Sequence, residues 1–226
     1  MDILEGLNPA QREAVEAIDG PLLILAGPGS GKTRVIVHRV AYLIKTWGVR
    51  PRQIMAVTFT NKAAREMKER LYGLLGTSVE ELAVGTFHAI CAGILRRDGK
   101  NIGIDSSFVI SDDDDQMSLV KRVMEELDID PKRSPPRTFL HAISAAKSSF
   151  KAPKDYVKSN YFEEVAGRVY QRYQERLVES RALDFDDLLM KVVELFQTHP
   201  DVLEKYQKRY HYVLVDEFQD TNTVQY

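Results

Sequence analysis

Cysteine is nearly absent from this sequence. Cys91 is the single one among 226 residues, which excludes an internal disulfide and any cysteine-rich metal site. Alone, it reads as a small buried hydrophobe and not as a nucleophile. An excess of one charge is missing too: 31 Lys and Arg stand against 33 Asp and Glu, a formal net charge of −2. No global field draws the chain to nucleic acid, so any such contact has to be local. Nor is there a long hydrophobic run approaching the roughly 20 residues of a membrane span. Residues 1–8 carry acids and no apolar core, unlike a signal peptide. The expectation is a cytoplasmic protein with no membrane partner. Internal repeats and low-complexity tracts are also lacking. What is present, 44% hydrophobic and 28% charged residues, suffices for a real core in one or two domains.

Four short apolar runs bounded by turn residues, 22–26, 54–59, 82–84 and 212–215, read as buried parallel strands. Between the first two, segment 32–45 places Val35, Val37, Val40, Ala41 and Ile44 on one helical stripe. A second helix is expected over 62–75. This alternation predicts an α/β fold with a doubly wound parallel sheet. After His88 the periodicity turns helical, over 115–127, 138–148 and 161–180, with breaks at 130–136 and around 152–154 and a short strand near 108–110. The expected organisation is an α/β domain from 1–89 and 183–226, interrupted by a mainly helical insert at 90–182.

The strongest chemical signal is Ala26-Gly27-Pro28-Gly29-Ser30-Gly31-Lys32-Thr33, set between an apolar run and an amphipathic helix. A phosphate-binding loop needs this pattern: glycines let backbone amides wrap a phosphate, and the helix N-terminus adds its positive dipole end. Lys32 would reach the β and γ phosphates, and the Thr33 hydroxyl would ligate magnesium. Ala26 stands where the motif usually has glycine. Asp216-Glu217 follows the apolar run 212–215 directly, at the carboxyl end of a parallel strand, where such sheets bind ligands. Asp216 would hold Mg2+, and Glu217 would orient or deprotonate the water that attacks the γ phosphate. Two adjacent acids alone could be a solvated strand end. Paired with the loop, each supplies what the other lacks.

These residues resemble the UvrD/PcrA/Rep group of superfamily 1 DNA helicases over essentially the whole chain. The ordered matches include Leu7-Asn8-Pro9-Ala10-Gln11, Thr58-Phe59-Thr60-Asn61-Lys62-Ala63-Ala64-Arg65-Glu66-Met67, Gly85-Thr86-Phe87-His88, Leu183-Asp184-Phe185-Asp186-Asp187-Leu188 and Asp216-Glu217-Phe218-Gln219-Asp220-Thr221-Asn222. The resemblance implies a RecA-like P-loop NTPase sheet with an inserted helical subdomain, and ATP-driven movement 3′ to 5′ on single-stranded DNA. It implies that Gln11 reads adenine, that Arg34 lies near the nucleotide, and that Gln219 and Asp220 couple the site to motion. It also implies that Phe59, Thr60, Asn61, Thr86 and His88 touch single-stranded DNA, Phe59 by stacking on a base. Read without the family, Gln11 is a surface glutamine, Thr60 or Asn61 a helix N-cap, Phe59 a core ring and His88 structural.

The run 112–115 reads as a helix start, since it lacks the spacing of a calcium loop. The acids at 184–187 read mainly as a cap for the helix through Phe196. The insert carries Lys132, Arg133, Arg137, Lys147, Lys151, Lys154 and Lys158 with Phe139, Phe150 and Tyr156 interleaved, a place for contact with a single-strand to double-strand DNA junction or simply solvated helix faces. By resemblance, a second RecA-like domain supplies arginine fingers worth about 10³- to 10⁵-fold in rate, so these 226 residues alone are expected to bind nucleotide weakly and turn it over little. Two other readings stay open: the motor part of an AddA/RecB-like helicase-nuclease, and a non-catalytic, nucleotide-gated DNA-binding module.

Overall fold

A computed structural model describes residues 2–157 and 159–226; Met1 and Lys158 lie outside the described residues. The fold is mixed α/β with parallel strands and many helices, consistent with a RecA-like architecture. It divides into two compact units, one comprising residues up to Ile90 with Glu204–Asp220, the other Cys91–Leu203 with Thr221–Tyr226.

In the first unit, Pro9–Glu16 (α1) starts at Asn8, whose side chain accepts from the Gln11 amide, and Pro9 occupies a first-turn position that needs no N–H. Lys32–Lys45 (α2) and Asn61–Leu75 (α3) accompany the strands Ile54–Thr58 (β1) and Ala83–Thr86 (β2). Phe87–Asp98 (α4) begins in this unit. The sheet has the order β2-β1-β5, where β5 is Tyr212–Val215 and every pairing is parallel. Its register pairs Thr58 with Thr86 and Val57 with Val215, so all three carboxyl ends share one edge. The core joins Val37, Val40 and Leu43 of α2 to Ile54 and Ala56 of β1 and to Met67 and Leu71 of α3. Each fully buried side chain of this size contributes about 1.5–3 kcal/mol. The apolar stripe on α2 is broader than its sequence spacing predicts, because Ile36 and Leu43 are buried as well.

One expected strand does not form. Residues 22–26 make no sheet pairing, and Leu23 and Leu25 are 66% and 87% exposed. An apolar run becomes a buried strand only when neighbours pair its backbone and layers cover both faces. Here β1 lies between β2 and β5, and no described strand takes up 22–26.

The second unit is mainly helical. Val109–Ser111 (β3) pairs in parallel with Ala182–Asp184 (β4), beside Asp113–Glu126 (α5), Pro136–Ser148 (α6), Tyr161–Glu179 (α7) and Phe185–Thr198 (α8). Pro200–Arg209 (α9) runs from this unit into the first. The core joins Val120, Val123, Phe139, Ile143, Val169 and Tyr173. β4 and α8 belong to this helical unit: Ala182–Asp184 finds its backbone partner in β3, and Lys147 of α6 pairs with Asp184 and Asp187.

Candidate nucleotide and DNA site

The glycine-rich loop expected to bind phosphate is shaped by two left-handed glycines. Gly29 has φ +74° and Gly31 φ +88°. At Gly31 the left-handed backbone favours glycine, and an added Cβ would lie 2.9 Å from Gln11 Nε2, so the end of that side chain would have to shift. The Ser30 hydroxyl donates to the Gly27 carbonyl at 2.6 Å and tightens the turn. Gly31 opens α2 without any side-chain cap, whereas Asn8, Thr60, Asp112, Asn160 and Asp184 cap α1, α3, α5, α7 and α8. The first N–H groups of a 14-residue helix are thus left for an external anion.

The carboxylates arrive from the far end of the chain. The Asp216 amide donates to the Val57 carbonyl at 2.9 Å, extending the β1–β5 ladder by one residue. The Asp216 side chain is buried, and the Thr33 hydroxyl donates to its Oδ2 at 3.0 Å. Hydroxyl and carboxylate are both hard oxygen donors, the chemistry magnesium takes when one or two protein ligands and phosphate oxygens share it. Among the described residues no group of three or more His, Cys, Asp or Glu is assembled for a metal, so an ion here would rely on Thr33, Asp216 and the nucleotide.

Lys32 Nζ lies 3.4 Å from the Ala26 carbonyl and 4.0 Å from Glu217 Oε1, with side chains 27% and 42% exposed. A partly exposed pair of this kind is worth at most about 1 kcal/mol, so a phosphate can take the ammonium at little cost. Glu217 itself has φ +50°, a left-handed backbone unusual for a side chain of this kind. Three hydrogen bonds hold it: its amide donates to Asp216 Oδ1 at 3.1 Å, its carbonyl accepts from the Asp220 amide at 2.9 Å, and its Oε2 accepts from Gln219 Nε2 at 2.5 Å.

Gln11 has both ends of its amide engaged. Its Oε1 accepts from the Asn8 amide at 3.1 Å, completing a capping box, and its Nε2 donates to the Ser30 carbonyl at 2.9 Å. In this arrangement it is a strut between α1 and the glycine-rich loop, with one N–H and one oxygen lone pair left for a further partner. Arg34 is exposed, with a guanidinium nitrogen over Gly6. Pro28 is exposed at the loop tip.

At the same sheet edge, Thr60 and Thr86 cap helices: Thr60 Oγ1 accepts from the Ala63 amide at 3.1 Å and Thr86 Oγ1 from the Ala89 amide at 3.2 Å. Thr86 is buried, Asn61 exposed and Phe59 half-buried. Burial lowers the pKa of His88, which favours the neutral imidazole. Thus the five residues expected at DNA cluster at adjoining strand ends, with the two hydroxyls already engaged by their own helices.

The family model for the UvrD/REP helicase N-terminal domain matches residues 7–226. The chain belongs to this family. It is 49% identical over 226 residues to the ATP-dependent DNA helicase PcrA of Bacillus subtilis (strain 168), covering 99% of this chain and 31% of that protein. The PcrA of Leuconostoc citreum is 49% identical over 227 residues, with 99% and 30% covered. The PcrA of Staphylococcus aureus (strain NCTC 8325 / PS 47) is 49% identical over 226 residues, with 99% and 31% covered. The chain therefore spans less than a third of the length of these curated relatives.

Within this UvrD/REP chain, some side chains depart from their sequence reading and others follow it. Lys147, grouped with the basic surface of the insert, is buried: its Nζ lies 2.6 Å from Asp184 Oδ2 and 2.8 Å from Asp187 Oδ1. Its partners explain why. Asp184 does cap α8, in a capping box with Asp187, and Tyr173 OH donates to the same Asp184 Oδ2 at 2.9 Å. Phe139 is fully buried, while Lys132, Arg133, Arg137, Lys151, Lys154 and Phe150 are exposed. Asp112 caps α5 with Asp115 as its capping-box partner, as a helix start requires. Burial pushes the Cys91 thiol up to about 12, away from thiolate chemistry. Sequence reading missed Arg39, which is buried and donates to the Ala14 carbonyl at 2.8 Å and to the Ala17 carbonyl, fastening the end of α1. Its only sequence signal is a charge inside the apolar stripe of α2. No helix of the described residues is long and apolar enough to cross a membrane.

Proposed function

We propose that this chain is the ATP-binding and DNA-engaging part of an ATP-driven DNA helicase, with a RecA-like nucleotide site and a helical subdomain that meets DNA. The observation that carries this is the Thr33–Asp216 hydrogen bond of 3.0 Å, which joins groups 183 positions apart beside an uncapped helix N-terminus. The loop amides and Lys32 would bind the β and γ phosphates. Thr33 and Asp216 would hold Mg2+, which when bound supplies neutralisation of phosphate charge. Glu217 would orient the attacking water and accept its proton. Its left-handed backbone and its bond from Gln219 support that role, since both restrict where the carboxylate can go. Gln11 and Arg34 would border the nucleoside, and Gln219 and Asp220 would pass the state of the phosphate site onward.

Single-stranded DNA would cross the carboxyl edge of β1 and β2, with Phe59 stacking a base and the backbone near Thr60, Asn61, Thr86 and His88 meeting phosphates. By resemblance, movement would be 3′ to 5′, completed by a second RecA-like domain in a cytoplasmic protein, with the exposed lysines of the helical unit toward a duplex junction. Assayed by themselves, the 226 residues should bind nucleotide but turn it over slowly. The test is equilibrium binding of a fluorescent ATP analogue with magnesium to the chain and to Lys32→Ala, with and without single-stranded DNA. Binding that depends on Lys32 supports the site; equal binding by the two proteins would sink it.

A further inference from the structure

We propose that Phe87 is a positioning residue that holds the ring of Phe59 in place for a base. This rests on the reading that Phe59 stacks on single-stranded DNA, and it adds a residue that reading leaves unused. Phe59 and Phe87 each follow the last residue of a strand, and the β1–β2 register pairs those last residues, Thr58 with Thr86. The two rings therefore emerge side by side, with centroids 5.7 Å apart and planes at 68°, an edge-to-face contact. Both are half-buried, so neither is a core ring fully committed to packing.

The backbone around Phe59 is already fixed. Thr58 Oγ1 donates to the Thr60 carbonyl at 3.2 Å, and the Thr60 hydroxyl accepts from the Ala63 amide. On the other strand, the Thr86 hydroxyl is held by the Ala89 amide. What these bonds do not fix at Phe59 is the orientation of its own half-buried side chain. Among the described residues, the ring it meets is that of Phe87. A stacking platform gains from such restraint, because a ring that is already oriented loses less freedom when a base settles on it.

Two measurements on the 226-residue chain test this. The first needs no DNA: 4-fluorophenylalanine is placed at position 59 and its 19F resonance compared in the wild-type, Phe87→Leu and Phe87→Tyr backgrounds. Leucine should shift the resonance and tyrosine should return it. The second titrates an oligothymidylate carrying one 2-aminopurine at several salt concentrations. Phe87→Leu should weaken binding about five-fold and reduce the fluorescence quench, with an unchanged salt slope because no phosphate contact is lost. Phe87→Tyr should restore both, and Phe59→Leu combined with Phe87→Leu should cost little more than Phe59→Leu alone. If the leucine variant melts early, Phe87→Met replaces it. A 19F resonance indifferent to Phe87 overturns the inference, as does a shifted resonance with unchanged quench. A wild-type chain that binds no single-stranded DNA overturns instead the reading on which it rests, and the 19F comparison still reports whether the ring contact exists.

Discussion

Lys32 and Lys147 are the same residue in opposite circumstances. Lys32 stands partly exposed at the end of the glycine-rich loop, 4.0 Å from one carboxylate and 3.4 Å from a carbonyl. Lys147 is buried in the second unit, 2.6 Å and 2.8 Å from two carboxylates that are buried with it. An ammonium in water can exchange partners for a fraction of a kcal/mol, whereas a buried one is committed, because separating it from its carboxylates leaves charge without solvent. Charge available for chemistry and charge spent on folding are thus distinguished by burial, not by residue type.

The comparison breaks most visibly at Lys147. Lys147→Met should cost about 3–5 kcal/mol in urea unfolding, since it strands Asp184 and Asp187 in the core. In the native protein burial opposes the Lys147 charge, but Asp187 and Asp184 outweigh it and raise its pKa, so the ion pair persists throughout the neutral range. Burial also raises the pKa of Asp187, against the pull of Lys147. A carboxyl with a raised folded pKa contributes stability at low pH and loses it as pH rises. The Lys147→Met penalty should therefore be smaller at pH 5 than at pH 8; a penalty independent of pH would mean the orphaned carboxylates do not titrate in the core.

Lys32→Ala should do the reverse. Nucleotide-analogue binding should fall at least about ten-fold, or about 1.4 kcal/mol, while unfolding stays within about 0.5 kcal/mol of wild type. A large stability loss would place Lys32 with Lys147 as a structural cation. Next in size, Thr60→Ala removes a working cap and should cost about 1 kcal/mol in thermal or urea unfolding. An effect on DNA titrations alone would make its hydroxyl a DNA contact. Glu217→Gly should stabilise the chain by about 0.5–1 kcal/mol, by relieving a left-handed backbone that glycine adopts freely. Unfolding free energy measured beside the wild type checks this, and a loss of stability would show that the side-chain bond from Gln219 outweighs the backbone strain. Smallest of all, Leu25→Lys should reduce self-association of the chain in light scattering without moving its melting temperature, because that side chain is 87% exposed.

The candidate nucleotide site was legible as a pattern because its parts are local. A glycine-rich loop before a helix, and two acids after an apolar run, each carry their geometry within eight residues or fewer. The helix starts at Thr60, Asp112 and Asp184 were readable for the same reason. Run 22–26 misled because its apolar character says only that it should be covered, and pairing requires a partner strand that local sequence does not name. The place of 182–184 was not legible either, since β4 is assigned by its ladder with β3, over 70 positions earlier. Lys147 looked like any exposed lysine of a basic helix because the two aspartates that bury it lie 37 and 40 positions away.

By itself, the sequence determined the glycine-rich loop before a helix, the adjacent acids after an apolar run, the helix starts and the resemblance to UvrD/REP helicases, all short-range patterns of residue type and spacing. Only the tertiary structure decided that Thr33 meets Asp216, that Gln11 braces the loop, that Phe87 lies against Phe59, and that one lysine is open while another is sealed. Those outcomes depend on which distant segments pair and on what the pairing removes from water, and neither quantity is written in any single stretch of chain.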